Sequence, residues 1–217
     1  MKQLWKILYL GLDPSRFVHE GVLTHHPLIQ IQALPLEDVK EAFGTHGAWT
    51  HLIFTSQTGV SLFFEVCQKL KITLPPLECI VVGKATEAKL RIYGEFKIRV
   101  AQKECAEGVV ECLEKMDLKN AHLFFPHSTL ARTTIVDFLK KEGISYTEAL
   151  LYKPISLEKI PALKIEEFDE IVFTSPSIVD AYMKIFGRLP KQKKLTAIGV
   201  VTQKRMDNFL ERNYSHD

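Results

Sequence analysis

Four short turns hold the side chains of this 217-residue chain that could do chemistry. Two read Phe-Thr-Ser: Leu52-Ile53-Phe54-Thr55-Ser56-Gln57-Thr58 and Ile171-Val172-Phe173-Thr174-Ser175-Pro176-Ser177, with Phe173 standing 119 positions after Phe54. Two read Gly-x-x-Thr: Gly83-Lys84-Ala85-Thr86 follows Ile80-Val81-Val82, and Gly199-Val200-Val201-Thr202 follows Thr196-Ala197-Ile198, with Gly199 standing 116 positions after Gly83. Each turn joins an apolar strand-like run to a helical segment. A Ser at a helix N-cap takes up an orphan backbone N–H, and Pro176 fits the first helical position, where its missing N–H costs nothing. The unpaired N–H groups and positive dipole end of such a helix attract anions. Ligands of open parallel sheets bind beyond the carboxyl ends of the strands. If two such units face one another, the four turns line one cleft suited to a large, multiply anionic ligand. Taken singly, Ser56, Ser175, Thr86 and Thr202 could equally be plain helix caps. Their recurrence in the same order argues for two related α/β units.

Other chemistries lack their residues. There is no G-x-G-x-x-G, and Gly83-Lys84-Ala85-Thr86 has no upstream glycine to make a phosphate loop. No H-E-x-x-H occurs, and His25-His26, His46 with His51, and His122 with His127 read as ordinary polar histidines rather than metal ligands. No Gly-x-Ser-x-Gly elbow marks a serine nucleophile. No metal or organic cofactor is expected, so catalysis would rest on positioning and electrostatics. The net charge of +2 is too small for non-specific nucleic-acid binding, and the basic run 188–194 reads as a solvated loop. Cys67, Cys79, Cys105 and Cys112 form no C-x-x-C pair and read as reduced, mostly packed thiols. The apolar run at the amino terminus is short and interrupted by Lys6, and no other run would cross a bilayer. A soluble cytoplasmic protein is expected.

The elements that must position these turns are set by periodicity. Residues 7–10 read as a buried strand broken by Gly11-Leu12-Asp13-Pro14, 17–25 as a short helix, and 28–34 as a strand of period two ending at Pro35. From 36 onward, helices and strands alternate. Val60, Phe63, Phe64, Cys67 and Leu70 mark one helix face, and Val109, Val110, Leu113 and Met116 another. A strand over 122–125 is expected to turn at Pro126-His127-Ser128-Thr129. A helix with Ile135, Phe138 and Leu139 stops at Gly143, and a strand over 147–152 ends before Pro154. This alternation implies parallel sheets covered by helices. The expected fold is α/β: two doubly wound parallel-sheet domains joined by a two-stranded hinge, one of them discontinuous. Residues 36–153 form the inserted domain. Residues 1–34 plus 155–217 form the other, its sheet completed by the strands at Ile7 and Leu28.

On these residues the chain resembles uroporphyrinogen-III synthase. The resemblance rests on the paired Phe-Thr-Ser and Gly-x-x-Thr units, Leu123-Phe124-Phe125-Pro126, the helix over 132–143 and the strand Leu151-Tyr152-Lys153. It implies two α/β domains on a two-stranded linker, acting as a monomer. It also implies cyclisation of hydroxymethylbilane with loss of water and inversion of ring D through a spiro intermediate, with no cofactor. The substrate's eight carboxylates suit helix N-termini. By this resemblance Tyr152 is the cleft tyrosine that assists departure of the hydroxyl, and Thr202 is the second catalytic candidate. Ser56, Thr86, Ser175, Arg132 and Lys84 are the substrate-binding candidates, with Lys153 a weaker one. The chain departs from the family in two places. The first strand ends in Leu10-Gly11-Leu12-Asp13-Pro14 rather than Thr-Arg-Pro, where Arg16 could compensate. Family members also usually carry another strand and helix after the second Gly-x-x-Thr helix, so a shortened sheet is expected.

These departures keep a second reading open, a non-catalytic tetrapyrrole- or anion-binding protein. A hinged sensor or solute-binding protein is a third class. Turnover of hydroxymethylbilane discriminates the first from the others.

Overall fold

The computed structural model describes residues 4–15, 17–157 and 163–212; Arg16 lies outside them. Among the described residues the elements run β1 (Lys6–Tyr9), β2 (Val22–His25), β3 (Ile29–Ala33), α1 (Leu36–Phe43), β4 (His51–Phe54), α2 (Gln57–Lys69), β5 (Glu78–Val81) and α3 (Lys84–Arg91). They continue with β6 (Lys97–Val100), α4 (Ala106–Leu113), β7 (His122–Ser128), α5 (Thr134–Lys141), β8 (Ser145–Ser156), β9 (Glu170–Phe173), α6 (Pro176–Phe186), β10 (Lys194–Ala197) and α7 (Val200–Arg212). The fold is α/β with two sheets, a four-stranded one ordered β10-β9-β1-β2 and a six-stranded one ordered β3-β8-β7-β4-β5-β6. The chain packs as two compact units, Met1–Ile31 with Pro154–Asp217, and Gln32–Lys153. It passes between them inside β3 and inside β8.

In the contiguous unit, β4, β5, β6, β7 and β8 are parallel. The edge strand β3 runs the other way: Leu157 N–H donates to the Leu28 carbonyl and Leu34 N–H to the Leu151 carbonyl. Side chains alternate across the sheet, and its centre is covered on both faces, so β4, β5 and β7 are mostly buried whereas the edge strands β3 and β6 are half exposed. Ile53, Ile80, Leu123 and Phe125 pack with Val109, Leu113, Ile135 and Leu139 of α4 and α5. The opposite face is aromatic. The Phe124 ring lies 3.9 Å from Trp49 and 4.9 Å from Phe43, and Phe63 joins them, drawing α1 and α2 onto the sheet.

In the discontinuous unit, β9 is buried along its length and pairs in parallel with β1 and β10. Leu8, Leu10, Ile171 and Phe173 pack against Ile178, Val179, Tyr182 and Met206 of α6 and α7. On the other face, Ile7, Tyr9 and Val172 are covered by Phe17 and Leu23.

Four sequence expectations change. The helix over 17–25 does not form. Gly21 has φ +148°, and a Cβ there would collide with the Trp5 carbonyl, so no helix can run through it. Val22–His25 instead pair with β1 as an edge strand, too exposed to show a clean alternation. β2 therefore takes the place in the four-stranded sheet that was expected for the strand at Leu28. Leu28 and Ile29 do pack into that unit's core, yet β3 pairs with β8 in the other sheet. The turn expected at Pro126 is a continuation of β7. β4 pairs with β7 only as far as Phe124, so Pro126 lies past its neighbour, where a missing N–H is tolerated. Likewise β8 continues through Pro154 to Ser156, beyond the last β7 partner, Tyr152 opposite Ser128.

Candidate active site

The strongest constellation lies in the contiguous unit, at the carboxyl end of β4 and where β8 parts from β7. Ser56 is the N-cap of α2, with extended backbone at φ −160° and ψ 153°. Its Oγ accepts from Gly59 N–H at 2.9 Å and lies 2.8 Å from the Tyr152 hydroxyl. Gly59 gives this approach its room, because a Cβ there would press on Ser56 Oγ at 3.1 Å. Tyr152 is 8% exposed, and its carbonyl accepts from Thr129 N–H at 2.9 Å. Burial raises the Tyr152 phenol above its ordinary 10.0, and the Ser56 hydrogen bond offsets this in part. The phenol therefore keeps its proton at neutral pH and can donate it, while Ser56 holds its direction.

The first Gly-x-x-Thr turn is arranged differently. Gly83 caps α3, and a Cβ there would collide with the Glu104 carboxylate, which accepts from Lys84 N–H at 3.3 Å. The chain's own carboxylate thus sits where a substrate anion was expected. The Lys84 side chain is exposed, and Thr86 is buried, 3% exposed. Arg132 is turned to Glu107 on α4: both guanidinium nitrogens bond the carboxylate, one of them at 2.9 Å. The Arg132 hydrogen bond is the largest influence holding the Glu107 carboxyl down at about 2.

In the discontinuous unit, Ser175 is the N-cap of α6 with Pro176 next, yet its side chain caps no helical N–H; its Oγ lies 2.9 Å from Ser177 Oγ. Thr202 is buried within the first turn of α7 and donates to the Ile198 carbonyl at 3.3 Å. Gly11 belongs to the stretch Leu10-Gly11-Leu12-Asp13-Pro14 that follows β1. A Cβ on it would come within 2.6 Å of Thr174 Cγ2, so the second Phe-Thr-Ser turn needs glycine opposite.

Of the residues singled out in the sequence, Tyr152 and Ser56 are brought together. Arg132 is instead paired with Glu107, and Glu104 takes the backbone N–H of Lys84. Neither the Tyr152–Ser56 bond, which spans 96 residues, nor the two carboxylate partners had a local signal. A concavity of about 580 Å³ in the contiguous unit is lined by Phe64, Cys67, Ile72 and Tyr93 among others and contains none of these residues. Among the described residues no helix is long and apolar enough to cross a membrane.

Residues 19–213 match the sequence model of the family described as Uroporphyrinogen-III synthase HemD. The chain belongs to the uroporphyrinogen-III synthase family. Enzymes of this family are hydro-lyases of tetrapyrrole biosynthesis, the class expected from the sequence. A Methanothermobacter thermautotrophicus protein provisionally named a uroporphyrinogen-III synthase is 25% identical over 200 residues, covering 83% of this chain and 78% of its own. Two solved uroporphyrinogen-III synthases share the fold. A mutant from Thermus thermophilus has a TM-score of 0.65 at 14% identity, over 94% of this chain and 89% of its own. The Helicobacter pylori enzyme has a TM-score of 0.61 at 17% identity, over 97% of this chain and 90% of its own. At these identities the synthase fold survives on patterning rather than on shared residues.

Proposed function

We propose that the protein converts hydroxymethylbilane to uroporphyrinogen III, closing the ring with loss of water and inversion of ring D. The family match across residues 19–213 carries this reading. The Tyr152–Ser56 pair supports its chemistry. Loss of the substrate's hydroxyl needs a proton so that water departs rather than hydroxide. The phenol of Tyr152 is protonated at neutral pH and aimed by Ser56, whose other bond comes from Gly59 N–H at a helix N-terminus. General acid assistance of this kind contributes roughly 10²–10⁴-fold. Once water has left, the ring closes within one molecule, and holding the chain's two ends is itself catalytic for that step.

In this reading Ser56 and Ser175 present helix N-termini to acetate or propionate groups. Thr202 acts from inside its turn, where its hydroxyl holds the Ile198 carbonyl, and the buried Thr86 takes the equivalent place in the first turn. Arg132 binds a substrate carboxylate after exchange with Glu107, a swap of one carboxylate for another that costs little at an exposed ion pair, and the exposed Lys84 side chain binds a second one. The protein acts in the cytoplasm as a monomer.

The occupied Arg132 side chain and Lys84 backbone N–H favour a second reading, a protein that binds tetrapyrroles without turnover. Purified protein supplied with freshly made hydroxymethylbilane decides between them. The synthase yields type III isomer in excess over the spontaneous type I product after oxidation. Folded protein giving type I alone would sink the synthase reading in favour of the second.

A further inference from the structure

His127 is buried, 6% exposed, and has no part in the reaction as described. Its ring stacks on Phe125 with centroids 4.3 Å apart. Nδ1 lies 2.8 Å from the Ser128 carbonyl, and Nε2 lies 3.1 Å from Glu148 Oε1. Both neighbours accept, whereas a neutral imidazole has one N–H. Both contacts are hydrogen bonds when His127 donates from both nitrogens, to a carbonyl on one side and a carboxylate on the other.

The site of this clamp is where the β7–β8 register shifts. His127 stands opposite Leu150, but Ser128 stands opposite Tyr152. An irregularity of this kind gives one strand an extra residue and re-aims the side chains after it. Around it, the Ser128 carbonyl also accepts from Ala131 N–H at 3.0 Å, and Thr129 N–H donates to the Tyr152 carbonyl at 2.9 Å. Ser128 Oγ accepts from Leu130 N–H at 3.1 Å. The bonded path thus runs from Glu148 through His127, Ser128 and Thr129 to the backbone of Tyr152, whose phenol meets Ser56.

We propose that His127, held by Glu148, is the positioning residue for Tyr152: it clamps the Ser128 carbonyl, fixes the register shift and so sets the phenol against Ser56. This deepens the synthase reading and rests on it. His127 and Glu148 act through Tyr152 and touch no substrate.

Glu148 is the residue to change, because its side chain is 38% exposed and the core does not depend on it. Glu148→Ala removes the anchor of Nε2. Glu148→Gln keeps it, since the amide donates to Nε2 while Nδ1–H still bonds the Ser128 carbonyl. The expected result for Glu148→Ala is a kcat for type III formation lower by about tenfold with KM nearly unchanged, because small misplacements of a reacting group are costly. Glu148→Gln stays close to wild type. Hydrogen exchange at the Thr129 amide reads the frame without reference to activity, and it is expected to quicken in Glu148→Ala alone. Unchanged Thr129 exchange in Glu148→Ala overturns the proposal. So does an unchanged kcat, or a glutamine variant as impaired as the alanine one. Wild-type protein making only type I isomer would instead remove the synthase reading, and Thr129 exchange would then decide whether His127 sets the register shift.

Discussion

The two Phe-Thr-Ser turns share a sequence and a place in the fold, but their serines do different work. Ser56 caps α2 through Gly59 N–H and lies in hydrogen-bond contact with the Tyr152 hydroxyl. Ser175 begins α6 with the same extended backbone, but its hydroxyl is spent on Ser177 and caps nothing. The difference lies two and three residues downstream. Gly59 leaves room for Ser56 to lie over the helix end, whereas Ser177 offers Ser175 a nearer partner. A tyrosine strand passes beside the first turn, and a glycine, Gly11, packs against the second. A duplicated motif thus preserves how a strand meets a helix, and its chemistry depends on what the neighbouring strand brings to it.

The sharpest way to break this comparison is to remove the tyrosine hydroxyl. Tyr152→Phe is expected to lower kcat for type III formation by about 100-fold, the low end for lost general acid assistance, with the fold kept. Turnover equal to wild type would put the two turns on the same footing. The next effect is on stability. Ser56→Ala loses a working cap and should destabilise by about 1 kcal/mol. Ser175→Ala should cost less than about 0.5 kcal/mol, as at sites with no special bond. Urea unfolding of the two variants side by side measures this, and the reverse order would contradict the assigned roles. The smallest effect is on pH dependence. Burial raises the folded-state pKa of Tyr152, so the phenol stays protonated up to its ordinary value near 10.0 and beyond. The kcat profile should therefore show no loss from its ionisation below pH 10. Above it, the unfolded chain ionises first, and the phenol's contribution to stability falls as pH rises towards the folded value. A descending limb near neutrality that vanishes in Tyr152→Phe would contradict the protonated-donor role.

Much of the architecture was legible because strand-to-helix turns leave compact local signatures: apolar run, small polar cap, amphipathic helix. The errors fell where local pattern and sheet context conflict. Val22–His25 form a strand only because β1 lies beside them, and Gly21 permits the approach. Pro126 reads as a breaker, yet it sits where β7 has outrun β4. The site was less legible than the fold. Ser56 and Tyr152 could each be named from the sequence, but their bond depends on a register shift between β7 and β8 that alternation does not reveal. His127 looked like an ordinary polar histidine because Glu148, its partner, lies 21 residues away across the strand pair.

The crossing of the chain within β3 and β8 bears on the order of assembly during synthesis. β1 finds its partner β9 only after the whole of Gln32–Lys153 has been made, since Leu8 pairs with Ile171. The contiguous unit, by contrast, carries all the strands it needs except the start of β3 and the end of β8. If it forms first, its sheet brings β3 and β8 side by side and shortens the loop between β1 and β9 to roughly 40 free residues, lowering the closure cost by about 1 kcal/mol. The tyrosine half of the molecule would then be the template on which the emerging ends of the chain complete the other sheet.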